Sequence, residues 1–203
     1  MHTKRFGTIL LLLIFLVSQA FASFGSKPSI NASIGGAFCI PTADYLKEYP
    51  GHPDVKMPNI RTSYYLGLDA DIIDIAYKYN DFTFDVGAGL SYLYISSSIP
   101  YGVSILKAYS GLGFKAYVST TYKHTFSASF AYKAYSCAYE GTKSNFYVRD
   151  FEITPSAVVA STGPMDLLVK LPITLSVKAD AITVRTSICI GIGFNSFKIK
   201  GDK

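Results

Sequence analysis

The sequence predicts an all-β protein: an eight-stranded, antiparallel, up-and-down transmembrane β-barrel. Three observations predict it. An alternation of apolar with small or polar side chains recurs eight times after residue 28, a secretory signal precedes it, and no later segment is apolar enough for a membrane-spanning helix. Because successive side chains of a strand point to opposite faces, each strand has one apolar face and one polar face. A barrel can turn these two faces towards lipid and towards its own interior.

Residues 1–22 have the pattern of a signal peptide. A short basic start is followed by an apolar run over 9–17, and the small residues Ala20 and Ala22 favour cleavage directly after the second of them. An uncleaved anchor is the alternative, but the run is shorter than the roughly 20 residues that a spanning helix needs. We therefore expect residues 23–203 to form one barrel domain after export.

Each predicted strand keeps its apolar residues in one phase. In the first strand Ile30, Ile34 and Phe38 share a face, and the second slips phase near Ile73, as a β-bulge would cause. The sixth contains Pro155, which removes a ladder hydrogen-bond donor. The eight strands are predicted over 30–40, 63–76, 82–94, 106–119, 126–133, 150–159, 166–178 and 182–194.

The predicted connections alternate in length along most of the chain. Long loops are expected over 41–62 and 137–145, and an intermediate one over 96–100. Long outer loops that alternate with short periplasmic turns, with both chain ends on the periplasmic side, are typical of membrane barrels. Short connections are predicted at 79–81, 120–123, 162–164 and, against the alternation, 179–181.

The direction in which the apolar face points needs separate evidence, because a secreted lipocalin-like barrel turns its apolar side inward. Strands of ten or more residues suit an oblique crossing of a bilayer. The polar face is dominated by Gly, Ser and Thr rather than by Lys and Glu. Aromatic residues gather near the strand ends around an aliphatic middle, which is typical of the two membrane interfaces. The membrane orientation is therefore favoured over a soluble barrel.

On these features, residues 23–203 resemble the small eight-stranded outer-membrane barrels of Gram-negative-type bacteria, the class that includes OmpA, OmpX and OmpW. The resemblance implies a location in that outer membrane, contact with its lipids and insertion by the outer-membrane assembly machinery. In this class the machinery reads a terminal aromatic residue, for which Phe194 and Phe197 are the candidates.

Charged residues on the polar face would meet inside a narrow barrel. Folding neighbouring strands together brings Asp85 close to Lys115, and Lys133 close to Asp150 and Glu152. Because buried charge is costly unless it is paired, we expect an ion-pair network and no porin-like channel. The alternative leaves the outermost charges in water at the rims: Lys107, Asp150 and Lys178. The predicted network comprises Asp69, Asp71, Asp85, Lys115, Lys133, Glu152, Lys170 and Arg185.

The remaining reactive residues form no recognised catalytic or metal-binding pattern. His52 lies with Asp54 in a proline-rich loop, where a solvated pair is expected rather than a site. His124 lies beside a predicted turn, and no serine or carboxylate is placed to complete a relay with it. Cys39 and Cys189 would face inward on the first and last strands, where the register decides whether they form a disulfide. We therefore expect neither an enzyme nor a bound cofactor or metal. The net charge of +5 is too small and too dispersed to indicate nucleic-acid binding.

The predicted function is a non-enzymatic structural or surface-interaction role in the outer membrane, with a side-chain-filled lumen. The long outer loop from Pro41 to Thr62 is the expected contact surface for a host or surface ligand, through Tyr45, Leu46 and Tyr49. One alternative is an OmpW-like conduit for small apolar solutes, which requires an apolar interior. Another is a soluble lipocalin-like secreted carrier.

Overall fold

Eight antiparallel strands close into one ring in the computed structural model, which describes residues 24–42, 48–49, 52–56, 61–96, 108–141, 145–179 and 181–198. Each strand pairs with its neighbours in sequence, and the last pairs with the first over thirteen residue pairs, from Ala181 opposite Pro41 to Gly193 opposite Ser29. The predicted eight-stranded antiparallel barrel is confirmed. Its strands are β1 (Ser29–Pro41), β2 (Arg61–Tyr79), β3 (Phe82–Ile95), β4 (Tyr109–Tyr122), β5 (Phe126–Tyr139), β6 (Asn145–Thr162), β7a (Met165–Lys170) with β7b (Ile173–Lys178), and β8 (Ala181–Phe194).

Four short elements accompany the ring in the described part of the chain. The segment Phe24–Gly25 pairs with β2, and Glu48–Tyr49 pairs with His52–Lys56 inside the first long connection. A single 3-10 turn, Ser196–Lys198, follows β8. No helix in the described part of the chain is long and apolar enough to cross a membrane.

The two ends of the barrel differ. Tight turns follow β2, β4 and β6, and both ends of the described chain lie at the same end, which we call the turn end. Asn80 and Gly163 adopt the left-handed backbone conformation in two of these turns, with φ of 53° and 55°. The opposite end, the loop end, carries the other connections. The third connection is longer than predicted, since β3 ends at Ile95 and β4 begins only at Tyr109.

Two irregularities of the ladder have sequence causes. The register between β2 and β3 shifts between Asp71 and Ile73, which confirms the predicted bulge and leaves both Ile72 and Ile73 facing outward. The seventh strand is interrupted between β7a and β7b, where Pro172 lies opposite the part of β6 that holds Pro155. Proline has no backbone N–H, so neither residue can donate a ladder bond there.

The apolar faces of the strands point outward. Ile34, Leu112 and Ile188 are each at least 60% exposed, whereas Lys133 and Arg185 are each 1% exposed. The described strands therefore place aliphatic side chains on the outside and charges on the inside, the reverse of a water-soluble protein. A lipocalin-like carrier requires the opposite facing, so that alternative is wrong for this chain.

Candidate functional site

The centre of the barrel holds a layer of paired charges. The Lys133 ammonium lies 2.8 Å from a carboxylate oxygen of Asp69 and 2.8 Å from one of Glu152. Lys115 lies 2.7 Å from Asp71 and 3.4 Å from Asp69. These contacts connect β2, β4, β5 and β6 across the interior, because long side chains reach into the middle from opposite walls.

A second enclosed pair lies nearer the loop end. Arg185 on β8 donates to Asp150 on β6, and the Arg185 guanidinium also lies over the Tyr65 ring, 4.6 Å from its centroid. The strand between them, β7b, presents Thr174 opposite Arg185 and Ser176 opposite Asp150. Their small side chains leave room for the two charged groups to meet across β7b, and the Ser176 hydroxyl donates to Asp150. Asp150 is fully buried, so it does not lie at a wet rim.

The turn half of the interior is polar and contains a residue that the sequence did not single out. Lys27 precedes β1 and reaches inward, where its ammonium lies 3.1 Å from Asp85 and its backbone N–H donates to Asp74 at 2.7 Å. Tyr117 also donates to Asp74, at 2.7 Å. Since Lys27 lies outside any alternating strand segment, no periodic signal could have placed it inside.

A polar cavity of about 100 Å³ opens among these groups in the turn half. Lys170 lines it together with Ser127, Ser129 and Ser156 on the opposite wall from Asp74. Lys170 faces the interior as predicted. Within the described part of the chain, however, it forms no ion pair with the other members of the predicted network.

The loop half of the interior is closed by apolar and aromatic packing. Leu93 and Val148 are fully buried there beside Tyr65 and Tyr135. Above them Lys178 packs on three rings, with its ammonium 5.0–5.8 Å from their centroids. Those rings belong to Tyr109, Tyr139 and Phe146. The loop half thus acts as a seal over the central charges.

Two of the predicted partnerships need correction. Asp85 does not pair with Lys115: it lies opposite Ser119 on β4, about 13 Å along the strand from Lys115, and its partner is Lys27. Of the two carboxylates predicted near Lys133, Glu152 pairs with its ammonium, whereas Asp150 lies opposite Lys133 in the register and pairs with Arg185. Strand register and barrel geometry decide these partners, and hairpin folding alone does not.

The register also separates the two inward-facing cysteines on the closing strands. Cys39 lies opposite Thr183, and Cys189 lies opposite Ser33. Thr183 and Cys189 are six residues apart on β8, which corresponds to about 20 Å, whereas a disulfide needs Cα atoms within about 7 Å. This register is incompatible with the Cys39–Cys189 bridge.

Of the other predicted site residues, some lie outside the described part of the chain and others are described only by their position in it. Tyr45 and Leu46 lie outside the described residues, as does Lys107. Tyr49 belongs by its backbone to the short strand that pairs with His52–Lys56. His124 lies at the turn between β4 and β5 and lines the polar cavity. Among the residues that the structure describes, no cluster of three or more His, Cys, Asp or Glu side chains could hold a metal ion.

Comparison with solved structures finds distant matches that cover most of this chain. Neisserial surface protein A (NspA) is 9% identical, with a TM-score of 0.44, over 83% of this chain and 99% of that one. Ail, the attachment invasion locus protein of Yersinia pestis, solved in complex with the heparin analogue sucrose octasulfate, is 8% identical, with a TM-score of 0.40 over the same shares. No protein-family model and no curated protein matches the sequence.

Proposed function

We propose that this chain is an outer-membrane β-barrel protein with a non-enzymatic, structural or surface-interaction role and a lumen filled by its own side chains. The observation that carries the proposal is the reversed facing of the strands, with aliphatic side chains outward around the ring and ion pairs within. An apolar surface of that extent promotes aggregation in water, whereas acyl chains solvate it. Export through residues 1–22 and a mature barrel over 23–203 belong to the same proposal.

The strand lengths support a bilayer crossing. A strand of 14 residues, such as β3, β4, β5 or β8, is about 46 Å long and rises about 35 Å when it is tilted by about 40°. The apolar band of an outer-membrane barrel is about 25 Å tall, so such strands cover it and leave a margin at each interface.

The interior supports a barrel that does not conduct. The ion pairs of Lys133 cross the middle, the Arg185–Asp150 pair lies nearer the loop end, and Leu93 and Val148 fill the loop half. An OmpW-like conduit for apolar solutes would need a continuous apolar passage, which the central charges oppose. We expect bilayer recordings of the purified protein to lack large, steady conductance, and such conductance would contradict the filled lumen.

The proposed partners follow from the outward apolar belt and from the first long loop. Membrane lipids would contact the outward belt, and the assembly machinery would read Phe194, which ends β8, in preference to Phe197, which is buried. A host or surface ligand would contact the loop from Pro41 to Thr62, with Tyr45, Leu46 and Tyr49 as the contact residues.

Membrane fractionation tests the proposal. The full chain is expressed in a Gram-negative bacterium, and its location is followed together with heat-modifiable migration on a gel. We expect outer-membrane recovery, faster migration of the unheated form, and cleavage within Pro41–Thr62 by protease added to intact cells. A monomer that stays dissolved in buffer without detergent would refute the membrane role.

A further inference from the structure

Among the strand residues whose side chains the structure describes, Arg149 is the one charged residue that faces outward. It lies between Val148 and Asp150 on β6, and both of these neighbours are fully buried, so the alternation of the strand directs Arg149 to the outside. The other charged side chains described on the eight strands face the interior or lie half-buried at its ends. A lone guanidinium on an apolar outer surface needs a polar environment.

The height of Arg149 on the barrel indicates which environment it meets. It is the fifth residue of β6, so it lies about 13 Å along the strand, or about 10 Å along the barrel axis, from the loop end of β6. On its turn side the rings of Tyr132 and Phe151 pack together, 5.5 Å between centroids, and apolar residues continue down to Val159. Aromatic pairs of this kind mark the edge of the hydrocarbon region. Arg149 therefore lies on the headgroup side of that edge.

The neighbours of Arg149 leave its donors available. Ala134 on β5 and Val177 on β7b lie directly opposite it, and neither offers an acceptor side chain. Tyr147, which is 76% exposed, is the next outward residue towards the loop end, and it lies opposite the exposed Ser136. No ion pair joins Arg149 to another described residue. The site thus consists of one guanidinium with two hydroxyl groups beside it.

We propose that Arg149 docks the phosphate group of a membrane-lipid headgroup, with the hydroxyls of Tyr147 and Ser136 as additional donors. The planar guanidinium matches two phosphate oxygens at once, and the local charge complements an anion. No other charged side chain faces outward on the strands where side chains are described, so we expect one such lipid on that part of the barrel. The inference rests on the proposed membrane location.

Native mass spectrometry tests it. The purified full-length protein is released from nanodiscs that contain equal amounts of phosphatidylcholine and phosphatidic acid, and the retained lipid is counted. We expect the wild type to retain one phosphatidic acid. Arg149→Gln should retain about tenfold less, because the charge-assisted hydrogen bonds to the phosphate are lost. Arg149→Lys should give an intermediate value, because it keeps the positive charge but cannot bind two phosphate oxygens at once. Lys123→Gln is the matched control, because it removes a positive charge at the turn end and should leave retention unchanged.

The outcomes separate this inference from the proposed function. Equal retention by the wild type and Arg149→Gln, in proteins that both enter nanodiscs, would overturn the lipid site alone. Loss of the lipid upon addition of millimolar inorganic phosphate would also overturn it, because the site would then bind free phosphate. Failure of the wild type to enter nanodiscs at all would overturn the membrane role itself.

Discussion

The Lys133 ammonium lies 2.8 Å from the Glu152 carboxylate in the middle of the barrel. The same nitrogen lies 2.8 Å from Asp69 on the far wall, so one lysine forms ion pairs with two carboxylates from different strands. Thr154 and Thr174 donate further hydrogen bonds to Glu152, at 3.1 Å each. The pair is therefore a structural junction between β2, β5 and β6.

Removal of the lysine charge should destabilise the barrel strongly. Lys133→Met keeps the length of the side chain but leaves the charges of Asp69 and Glu152 in the interior without their main partner. Breaking such a buried pair costs about 3–5 kcal/mol. Urea unfolding in detergent micelles, read from the heat-modifiable band, would measure this loss. Lys123→Met in the exposed turn should change the free energy of unfolding by less than about 0.5 kcal/mol, and an equal effect of both substitutions would contradict the junction.

The facing of each strand was predictable from the sequence because side-chain direction has a period of two. Residues such as Ile34 and Leu112 keep one phase along their strands, and even the bulge near Ile73 shows as a slip of that phase. Local pattern therefore determined which charges face inward.

Folding of neighbouring strands placed Lys133 beside Glu152, but the other partners of those charges were not predictable in this way. Asp150 meets Arg185 across a whole intervening strand, and Asp69 meets Lys133 across the lumen. Both contacts depend on the stagger and tilt of the strands in the closed ring. Pairing each strand with its neighbour in sequence does not predict that stagger or tilt. Lys27 was missed because it precedes the first alternating segment and still reaches Asp85.

Gly35 should be indispensable to closure of the ring, whereas its neighbour Gly36 should not. A Cβ on Gly35 would lie 2.0 Å from the carbonyl oxygen of Thr186 and 2.6 Å from the Cα of Ser187, both backbone atoms of β8. A Cβ on Gly36 would meet only the Phe38 ring, at 3.8 Å. We expect Gly35→Ala to lose most of the folded, fast-migrating form and Gly36→Ala to retain it. Normal folding of Gly35→Ala would show that β1 and β8 do not approach so closely.

The register of the closing seam can be tested by an engineered disulfide. Ser33 lies opposite Cys189, and directly opposed residues of antiparallel strands have Cα atoms about 4.5–5.5 Å apart, within disulfide range. Ser33→Cys should therefore form a bridge to Cys189 under mild oxidation, visible as a reducible mobility change on a denaturing gel. Ser29→Cys is the control, because it lies opposite Gly193, four residues beyond Cys189, and should form none. A bridge in the Ser29→Cys variant instead would indicate a shifted register.

A charge placed on the outward belt distinguishes a lipid-facing surface from a water-facing one. Ile188 lies near the middle of β8 and Ile182 near its loop end, and both point outward. If the belt faces acyl chains, Ile188→Arg should lower the free energy of unfolding in vesicles by about 2–4 kcal/mol. Ile182→Arg should lower it by only about 0–1 kcal/mol, because the cost of burying arginine depends on its depth in the bilayer. Urea titration of the two variants in phosphatidylcholine vesicles measures both values. In a water-facing barrel neither arginine would be buried, so equal stabilities, or better solubility of Ile188→Arg without detergent, would contradict the membrane orientation.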